Sequence, residues 1–171
     1  MQSTVVIAAA TAADIPAVQR LAGEVWRDHY RSILSAEQIE YMLAHGYSRT
    51  ALERFLNEDD AGLALAVVEG IAIGFVAWYR SEAPATMKLD KLYVLRRFHR
   101  GGVGRTLIDR VVAQARACGC SQLTLNVNRG NAGAIRAYER CGFEIRARGD
   151  FPIGQGFVME DFIMVRTLDG R

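Results

Sequence analysis

The sequence predicts an α/β fold whose sheet runs in mixed directions, and three observations predict it. Two β-rich runs, "GLALAVV" and "IAIGFVAWYR", flank Glu69-Gly70 and read as an antiparallel hairpin. From Thr86 onward strand, turn, helix, strand and helix alternate, the order that lays parallel strands beside helical crossovers. With 171 residues, 50% hydrophobic and 23% charged, the chain has the size and balance of one globular domain, residues 1–171.

The elements follow in order. "TVVIAA" reads as a first strand. Thr11-Ala-Ala-Asp14 has the shape of a capping box with Asp in the place of Glu or Gln, and Ile15, Val18, Leu21, Ala22 and Val25 then line one face of a helix. Ser35 caps "AEQIEYMLAHG", which Gly46 ends, and "SRTALERFLNEDD" gives a further short helix. After the hairpin, "TMKLDKLYVL" is a strand that leads straight into a glycine-rich turn. The helix "GRTLIDRVVAQARACG" buries Leu107, Ile108, Val111, Val112 and Ala115 and ends near Gly119. "SQLTLNVN" is a strand, "NAGAIRAYERCG" a helix ending at Gly142, and "FEIRARG" and "GFVMEDFIMVRTL" are two closing strands.

Composition narrows the function classes. The net charge of +2 is too small to imply nucleic acid, yet Met87–Arg105 carries six cations against Asp90 alone. A local positive field of that kind suits a small, multiply charged anion. Cys118, Cys120 and Cys141 are odd in number, and neither they nor His29, His45 and His99 have metal-ligand spacing, so no metal is expected. No apolar run reaches the ~18–20 residues of a membrane span and no leader pattern opens the chain, so a cytoplasmic protein without membrane contact is expected.

The turn "HRGGVG" (99–104) carries the chemistry. A dinucleotide fingerprint fails because Leu107 stands where its third glycine belongs, and a P-loop fails because His99 and Arg105 replace its first Gly and its Lys. What remains is either a helix N-terminus whose glycines let backbone N–H groups converge on an anion, or a tight strand-to-helix turn that is glycine-rich for structural reasons alone.

"LYVLRRFHRGGVGRTLIDRV" resembles the acyl-CoA-binding core of the GNAT N-acetyltransferases, in which a strand leads into [QR]-x-x-G-x-[GA] and a helix. Gly102-Val103-Gly104 matches its G-x-G, and His99 departs from its leading Gln or Arg. Downstream, Asn131, Ala134, Tyr138, Gly142 and Phe143 match the family's N-x-x-A-x-x-x-Y-x-x-x-G-F. The chain ends, "VWRDHYRSILSAEQIEYML" and "IGQGFVMEDFIM", are similar to members grouped with bacterial spermidine/spermine acetyltransferases.

The resemblance implies a mixed, mostly antiparallel sheet of about six or seven strands flanked by helices and splayed between the fourth and fifth. It implies acetyl-CoA as co-substrate, with pyrophosphate on His99, Arg100, Gly101, Gly102, Val103, Gly104 and Arg105, and an acyl group beside Leu92, Tyr93 and Val94. Asn131 would order the cofactor, or serve only as a helix cap. Tyr138 takes the position of the general acid, and Asp90 is the first candidate for accepting the amine's proton. Trp26 and Tyr30 would wall an acceptor cleft, or pack between helix and sheet, and Glu160 and Asp161 would attract a polycation. The expected acceptor is a small-molecule primary amine, polyamines first. A protein N-terminus or lysine, and a non-catalytic acyl-CoA sensor, stand as alternatives, and a homodimer stays open.

Overall fold

The computed structural model describes residues 4–168. The first strand is β1 (Val6–Ala9). Thr11 and Asp14 then close the expected box: the Asp14 carboxylate accepts from the Thr11 N–H at 2.8 Å and its hydroxyl at 3.0 Å. A single 3-10 turn there leads into α1 (Ile15–His29), followed by α2 (Ala36–Gly46) and α3 (Arg49–Asn57). Ser35 and Ser48 cap the latter two, each hydroxyl accepting a backbone N–H at 3.1 Å.

β2 (Ala61–Val68) and β3 (Ile71–Arg80) form the hairpin, turning through Glu69 (φ 49°) and Gly70 (φ 79°), the pair of left-handed residues that a two-residue connection demands. β4 (Thr86–Val94) pairs antiparallel with β3, α4 (Val103–Ala117) crosses over, and β5 (Gln122–Asn128) returns parallel to β4. α5 (Ala132–Arg140) leads to β6 (Glu144–Gly154) and β7 (Phe157–Thr167), and β7 inserts between β5 and β6. The seven-stranded order is β1-β2-β3-β4-β5-β7-β6, the mixed α/β sheet expected.

β6 runs past the expected "FEIRARG" through Pro152. It is an edge strand, and a proline whose missing N–H faces outward costs the ladder nothing. The apolar stripe of α4 (Val103, Leu107, Ile108, Val111, Val112, Ala115) is wholly buried, and the buried side chains of both sheet halves join one core.

The sheet splits where the resemblance implies. β4 and β5 pair only at Thr86–Gln122, Met87–Leu123 and Lys88–Thr124. Beyond Lys88, β4 stays on β3 as far as Val94 while β5 stays on β7 as far as Asn128. A cleft with strand walls opens between them.

Candidate active site

The cleft's left wall is the free edge of β4, and its register decides which groups that edge offers. Ala77 stands opposite Lys91 but Trp78 opposite Leu89, so Asp90 is an extra, bulged residue. Past the bulge the Leu95 N–H donates to Ile73 O at 2.9 Å and Tyr93 faces Phe75, so these residues turn their backbone groups toward β3. Leu92 and Val94, alternating with them, turn N–H and C=O into the cleft, where β5 has departed. Tyr93 instead sends its side chain to the aromatic cluster below.

Directly after Val94, buried Leu95 anchors a 3-10 turn (Arg96–Phe98), and Arg100 (φ 66°) and Gly102 (φ 79°) then adopt left-handed conformations. That path aims the first N–H groups of α4 at one point beside the β4 edge. A Cβ added at Gly102 or Gly104 would meet no protein atom within 4 Å, so both face open space. Arg96 and Arg97 reach back to Asp28 (3.7 Å) and Glu24 (3.3 Å) on α1, whereas Arg100 and Arg105 are exposed and have no ion-pair partner among the described residues. The His99 ring folds back, its Nε2 2.9 Å from the Val94 carbonyl oxygen. A carbonyl oxygen only accepts, so Nε2 carries the proton.

Across the cleft, Asn131 joins three elements. Its Oδ1 caps α5 by accepting the Ala134 N–H at 3.2 Å and also accepts from His29 Nε2 at 2.9 Å, while Nδ2 lies 3.5 Å from the Tyr30 hydroxyl. Tyr30 stacks on Trp26 with centroids 4.4 Å apart, and Trp26 donates to the Tyr47 hydroxyl at 3.0 Å. Both rings are buried between α1 and the sheet, where Tyr93 and Tyr47 complete the cluster. Tyr138, half-buried on α5, packs edge-on to Phe143 at 5.7 Å. Burial pushes the Tyr138 hydroxyl above its ordinary range, with Tyr30 and Cys141 adding to the shift, so it holds its proton at neutral pH.

The carboxylates fall in two places. Asp90 sits on the bulge and pairs with Lys91 at 3.1 Å, whose ammonium stands 4.6 Å over the Tyr47 ring. Asp161, 6% exposed on β7, lies at the end of a chain in which Lys88 donates to Asn126 Oδ1 and Asn126 Nδ2 approaches Asp161 Oδ2 at 3.5 Å. This chain crosses the split. Burial raises the Asp161 pKa, opposed by the Asn126 hydrogen bond and by Lys88 and Arg129, and its Oδ1 has no hydrogen-bond partner. Glu160, next on the strand, points to the other face and binds Arg129 at 3.2 Å, which also binds Asp150 at 2.9 Å.

Glu160 and Arg129 line a groove of about 410 Å³ whose opposite wall is Ser32–Ser35 and Gln38. Gln38 donates to Val158 O at 2.9 Å and Tyr41 to Ile153 O at 2.6 Å, which fastens α2 to the β6–β7 hairpin beside the groove. The structure thus gathers the turn with Leu92 and Val94, sets Asn131 and Tyr138 opposite, and puts Trp26 and Tyr30 in the core. Sequence reasoning missed Lys88, Asn126, Arg129 and Gln38. The alternation in "TLNVN", which places Thr124, Asn126 and Asn128 on one face, was the available signal for two polar groups at the split.

These features suit an anionic, strand-like ligand lying between two sheet halves. Open glycines, exposed cations and an unpaired strand edge in one line fit a pyrophosphate with an amide-bearing arm, the chemistry of coenzyme A. The chain belongs to the GNAT family of acetyltransferases, whose family model matches residues 22–143. It is 27% identical over 135 residues, 79% of this chain and 85% of the other, to an uncharacterized N-acetyltransferase of Mycobacterium tuberculosis. Its fold is similar to that of the PaiA N-acetyltransferase of Thermoplasma acidophilum in complex with coenzyme A (TM-score 0.82, 23% identity, 96% of this chain and 99% of that one). It is similar also to the ribosomal-protein-S18-alanine N-acetyltransferase of Escherichia coli (TM-score 0.72, 18% identity, 98% and 96% covered). The protein is an acetyl-CoA-dependent N-acetyltransferase. Among the described residues no group of three or more His, Cys, Asp or Glu is gathered as a metal site requires, and no helix is long and apolar enough to cross a membrane.

Proposed function

We propose that the acceptor is the primary amine of a small cationic molecule, polyamines before others, in keeping with the resemblance of both chain ends to the spermidine/spermine group. The observation that carries this reading is the groove beside Asn128 and Glu160: the α2–hairpin hydrogen bonds run beside it, and Glu160 on its wall and Asp150 meet at Arg129. A polyamine's spaced ammonium groups suit several carboxylates along one apolar stem, whereas a peptide needs a wider channel.

In this reading the N–H groups of Leu92 and Val94 donate to the negative charge that builds on the thioester oxygen. Their fixed orientation on a strand edge means no reorganisation is needed when that charge appears. The N–H groups from Gly101 to Arg105, with Arg100 and Arg105, hold the pyrophosphate. Tyr138 supplies a proton to the departing thiolate; it carries that proton at neutral pH, although burial, by raising its pKa, makes it the weaker acid. A lysine-like amine must first lose a proton, at a cost of about 4 kcal/mol at neutral pH. Asp90, two residues before Leu92, receives it directly or through water. Glu160 holds a distal charge of the acceptor from the groove, and Asp161, on the opposite face of β7, attracts a charge at the split.

The test is release of free thiol from acetyl-CoA across a panel of spermidine, spermine, monoamines, aminoglycosides and peptides. Turnover with spermidine above the rest supports the proposal. Acetylation of peptide amino termini with polyamines ignored replaces it with the protein acceptor.

A further inference from the structure

We infer that His99 is an internal competitor for the cofactor's pantetheine arm, and that it sets how tightly the arm is held. This rests on the reading that the pyrophosphate lies on the 99–104 turn and the arm on the β4 edge. Of the two cleft-facing residues, Val94 is the one nearer the turn, and its carbonyl already accepts His99 Nε2–H at 2.9 Å. Without that bond the Val94 carbonyl would have no backbone partner, since its neighbours Tyr93 and Leu95 face β3 and β5 pairs with β4 no further than Lys88.

The ring therefore spans the gap between turn and edge, which is the path an arm must take from a pyrophosphate on the turn to a thioester beside Leu92. Ring and arm compete for one space and one acceptor. His99 is exposed and its backbone is extended (φ −62°, ψ 153°), so the side chain is free to rotate outward without moving the turn. An arm amide N–H then takes over the Val94 carbonyl. The residue stands where the family pattern has Gln or Arg, and the contact gives that departure a physical role. His99 is thus a positioning residue: it keeps the carbonyl aimed into the cleft before the arm arrives and lowers the arm's affinity by the strength of the bond it surrenders.

Calorimetric titration with coenzyme A and with adenosine 3′-phosphate 5′-diphosphate, which keeps the pyrophosphate and lacks the arm, separates the two halves of the site. His99→Ala should bind coenzyme A about three- to tenfold more tightly, the worth of one exposed hydrogen bond, and the arm-free nucleotide within about twofold of the unsubstituted protein. His99→Gln, whose amide N–H can still reach the carbonyl, should restore most of the original affinity. In the unsubstituted protein the ¹⁵N–¹H signal of His99 Nε2 should shift when coenzyme A saturates the site and stay in place with the arm-free nucleotide. Unchanged or weaker coenzyme A binding by His99→Ala, or a Nε2 signal indifferent to saturating coenzyme A, overturns the inference. If Gly104→Ala leaves the affinity for the arm-free nucleotide unaltered, it is the turn reading beneath it that fails, by a different measurement.

Discussion

Asn131 Oδ1 and His29 Nε2 lie 2.9 Å apart, and through that contact the start of α5 is tied to the end of α1 across the mouth of the split sheet. The same oxygen caps α5, so one amide serves two elements that are 102 residues apart in sequence. Removal of the side chain should loosen both. Asn131→Ala is expected to destabilise the protein by about 1–2 kcal/mol, the upper range for a lost cap. Asn131→Asp, which keeps an acceptor for Ala134 and His29, should lose less. Thermal unfolding of the three proteins measures the order, and equal melting temperatures would deny the cap any structural part.

Gly104 permits a test in which stability and binding move in opposite directions. A Cβ there meets nothing and the position is helical, so Gly104→Ala should stabilise α4 by about 0.5–1 kcal/mol. In the proposed cofactor site the same methyl group stands where the phosphate approaches the backbone, and coenzyme A affinity should fall at least tenfold, about 1.4 kcal/mol or more. Gly102→Val should weaken binding too. Its φ of 79° strains any side chain, however, so only Gly104 separates the two effects.

With Tyr138 as the proposed acid, needed as the thiolate leaves, Tyr138→Phe should reduce turnover about a hundredfold while coenzyme A affinity stays nearly constant. Stopped-flow thiol release and equilibrium titration give the two numbers. Unchanged turnover at every pH would reduce Tyr138 to a packing partner of Phe143.

Asp161 should show a pH signature in stability. Its folded-state pKa is raised above the ordinary 3.8 by burial, so the stability contributed by its protonated form is full below that value and is lost as pH rises through the folded pKa. Asp161→Asn copies the protonated shape. Its melting temperature should match the unsubstituted protein at low pH and exceed it increasingly toward neutrality. In the polyamine reading the same variant should raise KM for spermidine more than it lowers kcat, and added salt should do likewise, with a smaller effect on a monoamine. A melting difference that does not change with pH would show that the buried carboxylate is fully compensated.

Much of this architecture was legible in local pattern. Glu69-Gly70 announced the hairpin, the stripe from Leu107 to Ala115 announced α4, and the glycines announced the turn before it, because each depends on residues a few positions apart. The Lys88–Asn126–Asp161 chain was not legible, since its members come from three strands whose adjacency the tertiary fold alone creates. Trp26 and Tyr30 read equally well as cleft wall or core. Only their stacking and the Tyr47 hydrogen bond place them inside. The contact of His99 with Val94 spans five residues, yet it needs the 3-10 turn at Arg96–Phe98 to bring the ring back, and no periodicity marks such a turn.

An ordinary open sheet has two edges; the split gives this one four. The outer pair, β1 and β6, face solvent, while the inner pair face each other and diverge beyond Lys88. Unpaired edges invite stray strands from other chains. Here the divergence works against them: an intruding polypeptide can satisfy one lip but finds the other receding. A guest that carries only a few amides on a slender chain, with its bulk and charge left outside at the turn, completes the ladder for a short stretch and then leaves. Such a cleft suits what is strand-like and disfavours strands.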